Sequence, residues 1–283
     1  MTTITEITEE QARKVLTTID AGLTTGVGQP IPGQMCVMAA INYAMGHEHG
    51  DKPTCVHEVV RGFDIRLNDS RWSSNEARAK GMRREAIAKL GSTNIDGMQF
   101  AKLVAFGSMT RILPKALRFA ASKGKGVGHD AALEAAAAEL ENAKDHAAAV
   151  EATSKASLAT AKARADANAY AYAYAYAYAN AYAYADAYAY ADAYAYADAD
   201  ANAYAYAYAY AYANAYAYAD AYAYADAYAY ADADANAYAD AVSTIAAFRD
   251  EILALSAEIA CDALIACGSE GAKYLWLCDE VAA

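Results

Sequence analysis

Hydrophobic and polar positions follow two different rules along this chain. Up to about residue 125, and again after residue 242, apolar residues recur at helical spacing, whereas from Ala161 to Ala241 alanine fills every odd position. In the first region Thr8-Glu-Glu-Gln11 has the form of a capping box, and Val15, Leu16, Ile19 and Leu23 give the helix after it an apolar stripe. Gly26 to Gly33, with Pro30 and Pro32, predicts a loop. A compact apolar helix is expected over Gln34–Met45, closed by Gly46, and another near Cys55–Arg61. Phe63-Asp-Ile-Arg-Leu67 alternates and predicts a short strand. Ser73-Ser-Asn-Glu76 reads as a second capping box opening a helix to Leu90. Two more helices are expected over 94–106 and 108–121, with Pro114 in a first turn or at a kink.

Between Asp130 and Thr160 alanine dominates, so helix propensity predicts a helix, although large apolar positions such as Leu133, Leu140 and Val150 are few. After the alternating tract, Ser243 is placed to cap a helix whose stripe is Ile245, Phe248, Ile252, Leu255 and Ile259. Gly268 ends that helix, and Tyr274-Leu-Trp-Leu277 predicts a strand or an apolar anchor.

The tract itself is an internal repeat. Residues 166–199 recur letter for letter as 200–233, and each 34-residue copy contains AYAYAD three times in succession. Strict period two is the signature of a strand, with alanines on one face and Tyr, Asp and Asn on the other. Alanine's high helix propensity argues the other way, and no glycine lies between Gly128 and Gly268 to make hairpin turns. Asp and Asn at six-residue steps supply alternative turn residues, so three six-residue faces make an 18-residue coil. The pattern therefore predicts an α+β protein: a helical head (1–125), an Ala-rich linker helix (126–160), a β-solenoid-like stack (161–241) and a C-terminal amphipathic helix and cap (242–283). A long α-helix is the alternative for the tract.

Of the 25 tyrosines, 23 fall between Tyr170 and Tyr238, so the tract offers a surface of amphipathic rings suited to a protein, carbohydrate or ordered-lattice partner, or to self-association. Its longest runs place Tyr170, Tyr172, Tyr174, Tyr176 and Tyr178 in one copy and Tyr204, Tyr206, Tyr208, Tyr210 and Tyr212 in the other, the expected binding residues. Ten aspartates in the tract invite calcium, but the glycines of calcium-binding solenoid repeats are missing. No cofactor or metal is assigned.

Charge is segregated. Residues 1–125 sum to +5, 126–241 to −12 and 242–283 to −5, so only the head offers a surface to nucleic acid, and the net charge of −12 weighs against that partner. No stretch of 18 apolar residues predicts a membrane span, and the acidic start MTTITEITEEQ is not a secretory signal. Five cysteines without a CxxC pair fit free thiols in a reducing cytoplasm.

Three constellations in the head carry candidate chemistry. Cys36, His47, His49, Cys55 and His57 lie within 22 residues and include zinc-ligand types at irregular spacing. Cys36 near a helix start is also a candidate nucleophile, with His49 or His57 as base and Asp51 as orienter; its plain alternative is a small buried hydrophobe. Arg78, Lys80, Arg83, Arg84 and Lys89, with Arg66, Arg71, Arg111, Lys115 and Arg118 nearby, form a candidate phosphate-contacting face or a solvated one. Gly124-Lys-Gly-Val-Gly128 lacks the ending of a phosphate loop and reads as a linker.

The stretches GVGQPIPGQMCVMAAINYAMG, HGDKPTCV and RLNDSRWSSNEARAKGMRREAIAKLGS resemble an uncharacterised protein family of tailed bacteriophages and prophages. The resemblance covers about residues 5–92, and many members carry short Ala- or Gly-rich repeats before a brief C-terminal segment. It implies a bacterial host cytoplasm and carries no activity. Taken together, the residues point to a non-enzymatic binding or structural protein that displays tyrosines on a repetitive tract. A small thiol-dependent enzyme or metal-dependent regulator centred on Cys36, or a nucleic-acid-binding head, are the alternatives.

Overall fold

The computed structural model describes residues 6–123, 130–165 and 235–280. Its described part is 72% helical, and the only β pairing there is an isolated bridge between Gly28 and Met35. The protein is mostly helical, which corrects the α+β class and removes the β-solenoid expectation. The expected stack spans 161–241, of which 166–234 lie outside the described residues; its described ends, 161–165 and 235–241, are both helical. At those ends alanine's helix propensity prevails over the period-two pattern, which has no neighbouring sheet to pack against.

The described residues divide into two compact units. The first contains residues 6–104 and 250–280. Helix α1 (Glu9–Asp20) starts at the expected capping box: the Thr8 hydroxyl accepts from the Gln11 amide while the Gln11 side chain accepts from the Thr8 amide. Helix α2 (Val37–Ala44) follows the Gly26–Gly33 loop. Helix α3 (Glu58–Asp69) takes in the whole Phe63–Leu67 segment, which is therefore not a strand. Val59, Val60, Phe63 and Leu67 sit at helical spacing and are buried, and this longer periodicity outweighs a five-residue alternation. Helix α4 (Asn75–Ala88) is capped by Ser74, one residue later than expected, because Ser73 bonds Asp250 through both its amide and its hydroxyl.

A short 3₁₀ turn (Ser92–Asn94) leads into helix α5 (Gly97–Gly107), which continues through a π turn (Ser108–Ile112) into helix α6 (Leu113–Lys123). Pro114 has no amide hydrogen for the carbonyl four residues back, and the wider π turn directly before α6 accommodates that defect without ending the helical run. The second unit holds residues 105–123, 130–165 and 235–249. In it α6, helix α7 (Asp130–Glu141) and helix α8 (His146–Ala165) pack through Leu113, Leu117, Leu133 and Leu140 with five alanines, Ala121, Ala136, Ala137, Ala152 and Ala156. Few large apolar residues suffice because alanine faces let helices approach closely. Arg118 pairs with Glu134 and Glu141 beside that core, and the Phe119 and Phe248 rings stack 3.9 Å apart.

Helix α9 (Ala235–Ala266) begins inside the alternating tract, so Ser243 lies within it rather than at its cap. In the first unit its Ile252, Leu253, Ile259, Ala260 and Leu264 are buried, and Gly268 (φ +74°) ends it. The last described segment, Glu270–Asp279, is a 3₁₀ helix rather than a strand, with Leu275 and Leu277 buried. It closes the unit on residues near the start of the chain. The Gly271 amide donates to the Leu90 carbonyl (2.7 Å) and the Ser269 hydroxyl to that of Ala88 (2.6 Å), so two carbonyls at the end of α4 gain donors. The Tyr274 hydroxyl donates to Ile7 (2.7 Å), and ion pairs join Lys273 to Glu6 and Glu280 to Arg13.

No helix among the described residues is long and apolar enough to cross a membrane.

Candidate functional site

The ten tyrosines expected to bind, Tyr170, Tyr172, Tyr174, Tyr176, Tyr178, Tyr204, Tyr206, Tyr208, Tyr210 and Tyr212, lie outside the described residues, as does the Gly124–Gly128 segment. The head constellations are all described, and the structure takes them apart.

Cys36 is the N-cap of α2. Its sulfur accepts a hydrogen bond from the Ala39 amide (3.4 Å), and burial pushes its thiol above the ordinary value despite the helix start. His49 bonds the Gly28 carbonyl, His57 caps α3 by accepting from the Val59 amide, and Asp51 pairs with Arg61 at 3.8 Å. Burial also lowers the His57 pKa. Each member of the expected thiol triad thus has a local task of its own. Nor do the Cys and His residues converge: among the described residues no group of three metal-ligand side chains is gathered.

The basic residues are divided: Arg78 and Lys89 are buried, Arg83 is half-buried, and Lys80 and Arg84 are exposed. Arg78 is buried, donating to the carbonyls of Asn68 (2.7 Å) and Leu23 (2.9 Å) and to the Asn75 side chain (2.6 Å). Arg83 pairs with Asp20 and donates to the Cys278 carbonyl, and Arg84 pairs with Asp279. These contacts commit Arg78, Arg83 and Arg84 to partners within the fold rather than to a phosphate backbone.

Lys89 leads to the site that sequence reasoning missed. Its side chain and those of Asp64 and Glu85 are fully buried. Nζ lies 2.6 Å from Asp64 Oδ2 in a hydrogen bond and 2.7 Å from Glu85 Oε2, the latter not aligned as a hydrogen bond. One ammonium therefore faces two carboxyl groups in the interior, on helices whose Val60, Met82 and Ile87 are buried as well. Burial raises the pKa of both carboxyls, and the Asp64 charge drives Glu85 further, well above the usual carboxylate range. Burial alone would lower Lys89, but the Asp64 charge, with the Glu85 carboxyl beside it, outweighs that and holds the ammonium above the ordinary lysine value. Asp64 Oδ1 and Glu85 Oε1 have no partner while both acids are ionised; a proton held by Glu85 satisfies them by letting the two carboxyls hydrogen-bond. The signal in the sequence was an i, i+4 Glu85–Lys89 pair on a helix with buried neighbours and an aspartate amid apolar residues in α3.

Glu85 also lines a cleft of about 580 Å³ in the same unit, together with Trp72, Gly81 and Arg84 on one side and Ala254, Ala257 and Cys261 of α9 on the other. The outer edge of the Trp72 ring, Cη2 and Cζ3, lies against Gly81, where an added Cβ would collide with it. Burial pushes the Cys261 thiol up to about 12.

Comparison with family models, curated proteins and solved structures finds no match for the chain.

Proposed function

We propose that the protein is a non-enzymatic binding or structural protein in which a closed helical body holds a tyrosine-bearing insert. One observation carries this reading: residues before the tract and residues after it build a single compact unit, joined by the Gly271–Leu90, Ser269–Ala88 and Tyr274–Ile7 hydrogen bonds. The chain thus returns to its own first unit after the repeats, so the tract is anchored at both ends. Its rings, including Tyr170–Tyr178 and Tyr204–Tyr212, provide the contact chemistry for a protein or ordered-surface partner or for a second copy. The inward use of Arg78, Arg83 and Lys89 favours such partners over nucleic acid, and the buried, raised Cys36 thiol weighs against the thiol-enzyme alternative. On the resemblance of residues 5–92 to a tailed-phage family, the setting is the cytoplasm of a bacterial host.

The test compares the full chain with one in which the ten named tyrosines are serine. Both variants should show the same helical circular dichroism from the body, while capture of bacterial lysate proteins and concentration-dependent self-association fall only in the serine variant. Equal capture and self-association by the two chains would contradict the reading.

A further inference from the structure

We propose that Lys89 and Asp64 form an intramolecular amide cross-link in the core of the first unit, with Glu85 as the proton relay. The geometry is that of a reactive set. The Lys89 nitrogen lies 2.6 Å from an Asp64 carboxyl oxygen, one bond from the carboxyl carbon, and both side chains, one from α3 and one from the residue that caps the end of α4, are fully buried. The third member, Glu85, contacts the same nitrogen at 2.7 Å.

The step balances without any further reagent. Passage of one proton along the Lys89–Asp64 hydrogen bond, to a carboxyl that burial makes more basic than an exposed aspartate, converts the ion pair into a neutral amine and a neutral acid. Nζ then bonds to Asp64 Cγ. Glu85, kept protonated by burial and by the Asp64 charge, donates its proton to the departing oxygen, and the Cγ–O bond breaks to release water. Glu85 recovers a proton from the nitrogen and ends as it began. The charged pair becomes one neutral amide, and no redox change occurs. The product would tie α3 to the end of α4, the segment on which Ser269 and Gly271 close the unit.

Intact mass spectrometry of the purified full chain tests this directly. The cross-linked protein is lighter than its sequence by one water, and trypsin releases a branched peptide joining Gly62–Arg66 to Glu85–Lys102, uncut at Lys89. The E85Q variant should keep the full sequence mass and be cut after Lys89. A wild-type chain of full mass that trypsin cuts after Lys89 overturns the proposal, as does a water loss that leaves Lys89 cleavable. An E85Q chain cross-linked as completely as wild type overturns the relay role. The wild-type result decides the bond itself even where E85Q fails to fold.

Discussion

Replacing Gly271 by alanine is the sharpest perturbation of the closing segment. A Cβ there would overlap the Ile87 carbonyl oxygen and stand 2.9 and 3.0 Å from those of Leu90 and Ala88. All three are backbone atoms at the end of α4, so none can swing aside as a side-chain tip would. The 3₁₀ segment must lift, at an overpacking cost of about 1–3 kcal/mol. Lifting also breaks the Gly271–Leu90 and Ser269–Ala88 hydrogen bonds, at about 1 kcal/mol each. The expected loss is therefore roughly 3–5 kcal/mol, a large part of a domain's usual margin. Both tryptophans, Trp72 and Trp276, belong to the first unit, so selectively excited tryptophan fluorescence during urea unfolding reads that unit. Gly50 is the control: its Cβ position meets nothing within 4 Å and its φ needs no glycine, so Gly50→Ala should change stability by less than about 1 kcal/mol. If Gly271→Ala unfolds at the same urea concentration as Gly50→Ala, the closing contacts do not hold the unit together and the reasoning fails.

Three other perturbations give distinct readouts. Leu140→Ala, at a side chain with no exposure in the alanine-rich core of the second unit, should cost about 2–5 kcal/mol and lower the midpoint of thermal helix loss seen by circular dichroism; an unchanged midpoint would mean that this core is not packed as described. Because Glu85 is raised in the folded state, the native protein binds its proton more tightly than the unfolded chain. Wild-type stability should therefore fall as pH rises from the ordinary carboxylate range towards the raised value, and E85Q, which mimics the protonated acid, should flatten that dependence in pH-resolved urea titrations. A parallel slope in E85Q would reject the assignment. Cys36, buried and raised, should react with a thiol reagent at neutral pH far more slowly than an exposed cysteine in a model peptide, as followed by peptide mass mapping; labelling at the peptide's rate would restore the nucleophile reading.

Much of the first unit was legible because local chemistry fixes it. The Thr8 capping box, the buried stripe of α1, and the Gly268 stop all depend on residues a turn apart, and they stand where the pattern puts them. Errors arose where a distant partner decided the outcome. Asp250 claims Ser73 and leaves Ser74 to cap α4, a contact across 177 positions that no local motif carries. The Phe63–Leu67 alternation was too short to outweigh the helical spacing of Val59, Val60, Phe63 and Leu67, and the strict alternation of Ala-X gave way to alanine's propensity at both described ends of the tract. The Lys89–Asp64–Glu85 set was half visible: Glu85 and Lys89 are one helical turn apart, but Asp64, on another helix, joins them only in the folded unit. A run of arginines and lysines looked like an outer face because sequence spacing does not say that Arg78 reaches back to Leu23 and Asn68.

The central claim is that the body closes across the repeats, and a nick tests it most directly. A specific protease site inserted between Ala199 and Asp200, at the junction of the two 34-residue copies, allows the chain to be cut in its native state. The account predicts that both pieces then elute together on gel filtration and separate only in denaturant, because residues 250–280 remain packed on residues 6–104. Separation of the pieces in native buffer would contradict it.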